Sequence, residues 1–402
     1  APRPALALGT ALAAVAVATG GWLLARRPEP RAEPLVVRAG PARVVLVAVD
    51  GWVPELARGA LPVPAASRYS YRKETSDPAA FWTTVATGEV ARRHGVGALD
   101  LVRLDGVSAP VKLTAGTGWY LGRLLPALGV AREESVTSAA RRVPAIWEVA
   151  HRGGLASLTV NWWTTWPAGD AGGVVLGNHL YFAARAGGAL EGEGWPAEAV
   201  RRAATAAPPA APAADGAQRL VDDARGLDAF AIAAFRGETA RSRPRLSLLY
   251  LPGLDILGAA LSEPGRSVGE RATLAAALAE ETRSLASFLA GPDVLGSSAE
   301  LVVVVLDPGR TGREGELLVA GPLAAEGASG EVRPIDLAPT LLAVLGVPAS
   351  RQAEGRVDSR IVRAGSATTA TVGSWGARPR GVAAPIDPKE YVESLRSLGY
   401  LR

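Results

Sequence analysis

The chain has 402 residues, 48% hydrophobic and 20% charged, with a formal net charge of +4. That is enough apolar material for one large α/β core or two smaller ones, and it excludes an intrinsically disordered or fibrous chain. Cysteine is absent, which excludes disulfides and thiolate metal sites, and the scattered basic residues argue against nucleic acid as a partner.

The first predicted element is Ala5–Ala25, an uncharged run of mostly Ala, Leu and Val with Trp22 near its end and Arg26-Arg27 behind it. At ~1.5 Å per residue it is long enough to span a bilayer, so residues 1–27 are expected to anchor the chain in a membrane. Local charge does not fix the orientation, because Arg3 lies on one side of the run and Arg26, Arg27 and Arg31 on the other. Residues 28–40 are Pro-rich and read as a stiff linker.

The organising stretch is Arg43–Asp50, RVVLVAVD, followed by Gly51 and Trp52. A Val-rich run of this length that stops at a carboxylate and a glycine reads as a strand buried on both faces, as in a parallel sheet. The design recurs twice. Leu246–Leu251 leads through Pro252-Gly253-Leu254 to Asp255, and Leu301–Leu306 leads directly to Asp307. Parallel strands would bring Asp50, Asp255 and Asp307 to one rim, where ligands of open α/β sheets collect. A single strand-end Asp is more often a cap or turn former. Three together need a cation, metal or guanidinium, because like charges at short range otherwise force protonation.

Between these strands Ala79–Thr87 reads as a helix with Gly88 at its C′ position. Arg141–Ala150 reads as an amphipathic helix ended by His151–Gly154, and Ala156–Val160 as a further strand. Asn161–Ala168, NWWTTWPA, reads as a packed corner. Ala203–Ala214 is an Ala/Pro surface linker, and Gln218–Phe235 and Arg271–Leu289 carry helical periodicity. Leu317–Ala320 suits a strand, Asp336–Leu345 a helix closed by Gly346, and Asp387–Arg402 a short amphipathic helix.

The order of motifs resembles the alkaline phosphatase superfamily, in particular bacterial type I phosphodiesterase/nucleotide pyrophosphatase-like proteins. The matching stretches are Val44–Trp52, Trp82–Gly88, Arg93–Val96, Val143–Ala150, Asn161–Ala168, Asp336–Pro348, Glu354-Gly355 and Leu395–Leu401. The resemblance implies an alkaline-phosphatase-like doubly wound sheet with helices on both faces over residues 41–402. It also implies a cap insertion within 105–240 and a place outside the cytoplasm, on the periplasmic face. Family enzymes cleave phosphoesters at a two-metal centre of three Asp and three His, with a Ser or Thr nucleophile between the metals.

Carried over residue by residue, the three Asp positions are Asp50, Asp255 and Asp307, while the three His positions fall on Ala259, Pro308 and the GREG of 312–315. No histidine follows His179, so no alignment restores them. The nucleophile position falls on Pro78, with Asp77 or Ser76 one or two residues away. His94 matches a family position that is not a ligand, and His151 and His179 are expected to be solvated or capping. No catalytic residue is therefore assigned. Three carboxylates alone would suit one hard cation, Mg²⁺ or Ca²⁺. Otherwise Arg310 and Arg313, which stand where the imidazoles belong, would neutralise them as an internal network. The expectation is a membrane-anchored pseudoenzyme that binds a protein or a small phosphorylated ligand. The alternative is a divalent-metal-dependent phosphoester hydrolase with a carboxylate-only site.

Overall fold

The structure, a computed structural model, describes residues 34–38, 42–57, 67–99, 101–105, 111–112, 124–134, 136–170, 172–207, 216–378 and 389–401. The expected membrane anchor at 1–27 lies outside the described residues; among those described, no helix is long and apolar enough to cross a membrane.

The strands are β1 (Val44–Asp50), β2 (Ser67–Arg72), β3 (Leu101–Leu104), β4 (Val111–Lys112), β5 (Ala131–Glu134), β6 (Ser157–Val160), β7 (Val174–Leu176), β8 (Gly194–Trp195), β9 (Leu246–Leu251), β10 (Leu301–Asp307), β11 (Glu314–Ala320), β12 (Ser329–Glu331), β13 (Ala349–Ser350) and β14 (Thr371–Val372). Nine of them form one mixed sheet in the order β12-β2-β11-β10-β1-β9-β6-β7-β8. Its centre is parallel: β1 pairs with β10 on one side and β9 on the other, and β9 continues to β6 and β7. Every residue of β1, β9 and β10 is buried, as the mostly apolar runs require of strands covered by helices on both faces. The fold is thus the α/β architecture expected from the sequence.

Beyond β10 the sheet turns antiparallel through β11 and β2. Strand β2, SRYSYR, alternates buried and exposed residues, so Tyr69 and Tyr71 face inward. Of the span 105–240, β6, β7 and β8 belong to the central sheet, and helix Ala217–Ser242 packs on β9. A small separate sheet, β4-β3-β5, lies earlier, within Leu101–Glu134.

Most helices fall where periodicity placed them. Helix Pro78–Thr87 is capped by Asp77 and ends on Gly88 at φ 68°. Helices Val268–Ala290 and Leu337–Val344 cover the predicted segments, and Lys389–Ser397 forms within the last predicted one. The expected helix at Arg141–Ala150 is shorter, Ile146–Arg152. Pro144 disfavours helix at Val143 before it, and Arg141 instead folds back onto Glu148.

Candidate functional site at the carboxyl ends of the parallel strands

The register of the central strands sets Asp50 directly opposite Asp307. Asp255 enters from the first turn of helix Gly253–Leu261, which follows β9. The amides of Gly51 and Trp52 donate to the Asp307 carbonyl at 2.9 and 2.7 Å, locking the two strand ends together. Two glycines permit the approach of the third segment. Gly51 has φ 88°, and a Cβ there would lie 2.0 Å from the Asp255 amide nitrogen. Gly309 has φ 72°, and its Cβ would lie 2.4 Å from Asp255 Oδ1. No other residue type fits either place.

The structure brings the three predicted carboxylates together and gives each an internal donor set. Asp50 Oδ2 accepts from Trp82 Nε1 and from the Tyr250 hydroxyl, both at 2.8 Å. Asp307 Oδ1 accepts from Lys73 Nζ at 2.5 Å and the Gly309 amide at 2.8 Å, and its Oδ2 from the Tyr71 hydroxyl at 2.8 Å. Asp255 accepts from Arg310 twice: the amide to Oδ1 at 2.8 Å and Nε to Oδ2 at 2.9 Å. Arg310 is then held from outside. Its Nη1 donates to the Gly399 carbonyl at 2.6 Å, and its guanidinium lies 4.3 Å from the centre of the Tyr400 ring.

Of the two arginines expected to neutralise the carboxylates, Arg310 pairs with Asp255, whereas Arg313 turns to a backbone carbonyl. Arg310 sits in the turn directly after β10 and faces Asp255. Arg313 comes just before β11 and donates to the Glu74 carbonyl at the exposed rim. Its place as a cation at the centre is taken by Lys73, which the sequence reading passed over. The signal was there: Lys73 shares the inward parity of Tyr69 and Tyr71. Trp82, Tyr71 and Tyr250 were missed likewise, because a hydrogen-bonding ring in a core segment looks like any other core residue.

Three carboxylates face two cations, and Asp50 is the one without a cation in contact. Burial, then Asp255 and Asp307, push its pKa well above the usual carboxylate range. Burial also raises Asp307, with Lys73 acting against it. Burial lowers Arg310, but neighbouring Asp255 reverses this and holds it above its ordinary value. Tyr71 and Tyr250 are driven well up by burial and then by the adjacent carboxylates, so both remain hydroxyl donors. A fourth carboxyl, Asp228, lies fully buried under the start of helix Gly253–Leu261, accepting from the Gly253 amide at 3.1 and 3.2 Å. Burial, then Glu281, raises its pKa as well.

Beside this centre opens a cleft of about 250 Å³ lined by Thr75, Ser76, Asp77, Pro78, Leu99, Arg310 and Tyr400. It contains all three candidates for the nucleophile position. Asp77 is committed to structure: Oδ1 caps the Ala80 amide at 3.0 Å and Oδ2 accepts from the Leu99 amide at 2.7 Å. Pro78 is the first residue of the helix. Ser76 lines the cleft beside Arg310.

The histidines lie elsewhere. His94 is buried, and the Val96 amide donates to its Nδ1 at 3.1 Å, which leaves the proton on Nε2 to reach Thr84 Oγ1 at 3.1 Å. Burial, then Arg141, lowers its pKa to about 4. His179, expected to be solvated or capping, stands at the N-cap position of helix Leu180–Ala186 without a side-chain cap bond, and is buried with Nδ1 2.9 Å from Glu193 Oε1. His151 is exposed. Among the described residues no group of three or more His, Asp or Glu is arranged to hold a metal ion. The donors on Asp255 and Asp307 include a guanidinium and an ammonium where metals would stand, so these residues do not fit the two-metal centre that the resemblance implies.

No family model matches the sequence, and no curated protein matches it. Similar solved structures include a phosphonate monoester hydrolase from Silicibacter pomeroyi, at 14% identity over 79% of this chain and 75% of that one, TM-score 0.44. Human ectonucleotide pyrophosphatase/phosphodiesterase 5 is 13% identical over 80% and 100%, TM-score 0.39. Its murine counterpart is 11% identical over 76% and 96%, TM-score 0.39.

Proposed function

We propose that this is a catalytically silent protein on an alkaline-phosphatase-like fold, acting by binding. Ala5–Ala25 tethers it to a membrane, with the α/β domain on the periplasmic side. The observation that carries this reading is the occupation of the carboxylate centre by Lys73 and Arg310, at 2.5 Å from Asp307 and 2.9 Å from Asp255. A divalent cation entering there would have to displace both and leave the buried Lys73 ammonium and the half-buried Arg310 guanidinium without their carboxylates, a cost of several kcal/mol. Pro78, at the family's nucleophile position, has no nucleophilic group and Asp77 is spent on capping, which leaves Ser76 in a cleft whose lining holds no histidine. Ligand binding falls to the neighbouring cleft. There Arg310 and the hydroxyls of Thr75 and Ser76 suit a small phosphorylated or otherwise anionic molecule.

The test is metal content and thermal shift of the full chain with zinc, manganese, magnesium, calcium and EDTA, with phosphomonoester and phosphodiester hydrolysis measured alongside. Indifference to every metal and no turnover are expected. A stoichiometric ion, a clear stabilisation and turnover abolished by Asp50→Asn with Asp307→Asn would establish the alternative, a carboxylate-only hydrolase using Mg²⁺ or Ca²⁺.

A further inference from the structure

A second buried charge cluster lies outside the carboxylate centre. Glu148, in helix Ile146–Arg152, is gripped by Arg141, whose Nη1 and Nη2 donate to its two oxygens at 2.6 and 2.7 Å. The Ala145 amide adds a third bond at 2.8 Å, and Arg378 Nε approaches Glu148 Oε1 to 3.6 Å. Arg378 Nη1 donates to the carbonyls of Ser138 and Arg141. A third guanidinium, Arg152, is close enough to feel Glu148 and is fixed on the carbonyls of Trp375 and Ala377. Two guanidinium groups therefore share one carboxylate with a third nearby, and that carboxylate already accepts three hydrogen bonds.

The surplus shows in the donors. Arg141 Nε, Arg378 Nε and Thr164 Oγ1 are all buried and have no hydrogen-bond partner. Arg141 is 3% exposed and Thr164 1%. All three residues line one small cavity of about 20 Å³, with Glu148, whose two oxygens are held by Arg141, and Ser138, Trp147, Thr165 and Pro167 around it. Thr164 also has φ 60°, a left-handed conformation that a β-branched residue adopts only at a cost and that signals a constrained position. Burial, then Arg141, lowers the Arg378 pKa to about 10, with Glu148 only partly offsetting them.

We propose that this cavity is a binding site for one small monovalent anion of the halide class. An anion supplies acceptors to three orphaned donors and cancels buried positive charge, both of which otherwise destabilise the fold. Water would fit by size, since about 10–15 Å³ suffices for one molecule, but it brings no charge. Phosphate is too large. The bound ion would tie the segment Trp375–Arg378 to helix Ile146–Arg152 and to the Trp-rich corner, acting as a structural clamp independent of the carboxylate centre.

The test is thermal unfolding of the full chain in sodium chloride and sodium bromide against sodium gluconate at equal ionic strength, which holds screening constant. A saturable rise of about 2–4 °C with either halide, absent in gluconate, is expected. Thr164→Val and Arg378→Met should each lose most of that rise, and Thr164→Val alone decides the matter if Arg378→Met does not fold. A bromide-soaked crystal should give an anomalous peak between Arg141 Nε, Arg378 Nε and Thr164 Oγ1. Equal curves in halide and gluconate, or an ordered water only in the cavity, would overturn the proposal.

Discussion

Two buried charge clusters in this molecule balance their charges in opposite ways. At the carboxylate centre acids outnumber bases, three to two, and the excess is absorbed internally: Asp50 has its pKa raised and receives hydrogen bonds from Trp82 and Tyr250. At the Arg141–Glu148–Arg378 cluster bases outnumber acids, and the excess is not absorbed, because an arginine does not give up its proton and its nitrogens accept nothing. A carboxyl can neutralise itself and a guanidinium cannot. A surplus of buried acid can thus close on its own, whereas a surplus of buried arginine calls for a ligand.

The contrast breaks most readily at Lys73. Lys73→Met should leave Asp307 without its ammonium and lower stability by about 3–5 kcal/mol in chemical denaturation. A loss under about 1 kcal/mol would mean that the centre closes without Lys73. Gly51→Ala should cost about 3 kcal/mol, because the new methyl collides with the Asp255 backbone at a positive φ. The same variant with wild-type stability would show that the close approach of these segments is not needed. Asp50→Asn goes the other way and should be neutral or stabilising by about 1 kcal/mol at neutral pH. The folded pKa of Asp50 is raised, so its contribution is complete at low pH and lost as pH rises through that value; the variant should remove that decline.

The smallest effect sharpens the comparison with ordinary buried groups. Burial, opposed by Arg93, raises Glu89 from 4.5 to about 7, so stability falls as pH rises across that window. His94, lowered from 6.5 to about 4, makes stability fall as pH drops across its own window. The two slopes oppose each other. Glu89→Gln should therefore expose the His94 slope, and a pH–stability curve of the variant that is unchanged between pH 5 and about 6.5 would contradict this assignment.

Strands β1 and β10 of the parallel centre were legible because their burial on both faces leaves nothing but Val, Leu and Ala until the terminal Asp. The three carboxylates were legible for the same reason, as was Arg310, which directly follows one of those strand ends. What escaped was whatever the chain supplies from afar. Lys73 belongs to a short edge-side strand whose partner, β11, is antiparallel and distant in sequence. The start of helix Ile146–Arg152 escaped because Arg141 fits an amphipathic pattern as well as it fits a buried ion pair. Helical periodicity cannot tell a solvent-facing arginine from one folded back onto Glu148.

The pairing of Lys73 with Asp307 spans 234 residues. Strand β10 can dock beside β1 by a parallel crossover, but its carboxylate receives an ammonium only once β2 has crossed over to lie against β11. Nucleation on the Val-rich strands would therefore bring acidic strand ends together before their counter-charge arrives. Early assembly should accordingly be faster in mild acid, where those ends are discharged, and contacts of such sequence separation place the complete sheet among slowly folding topologies.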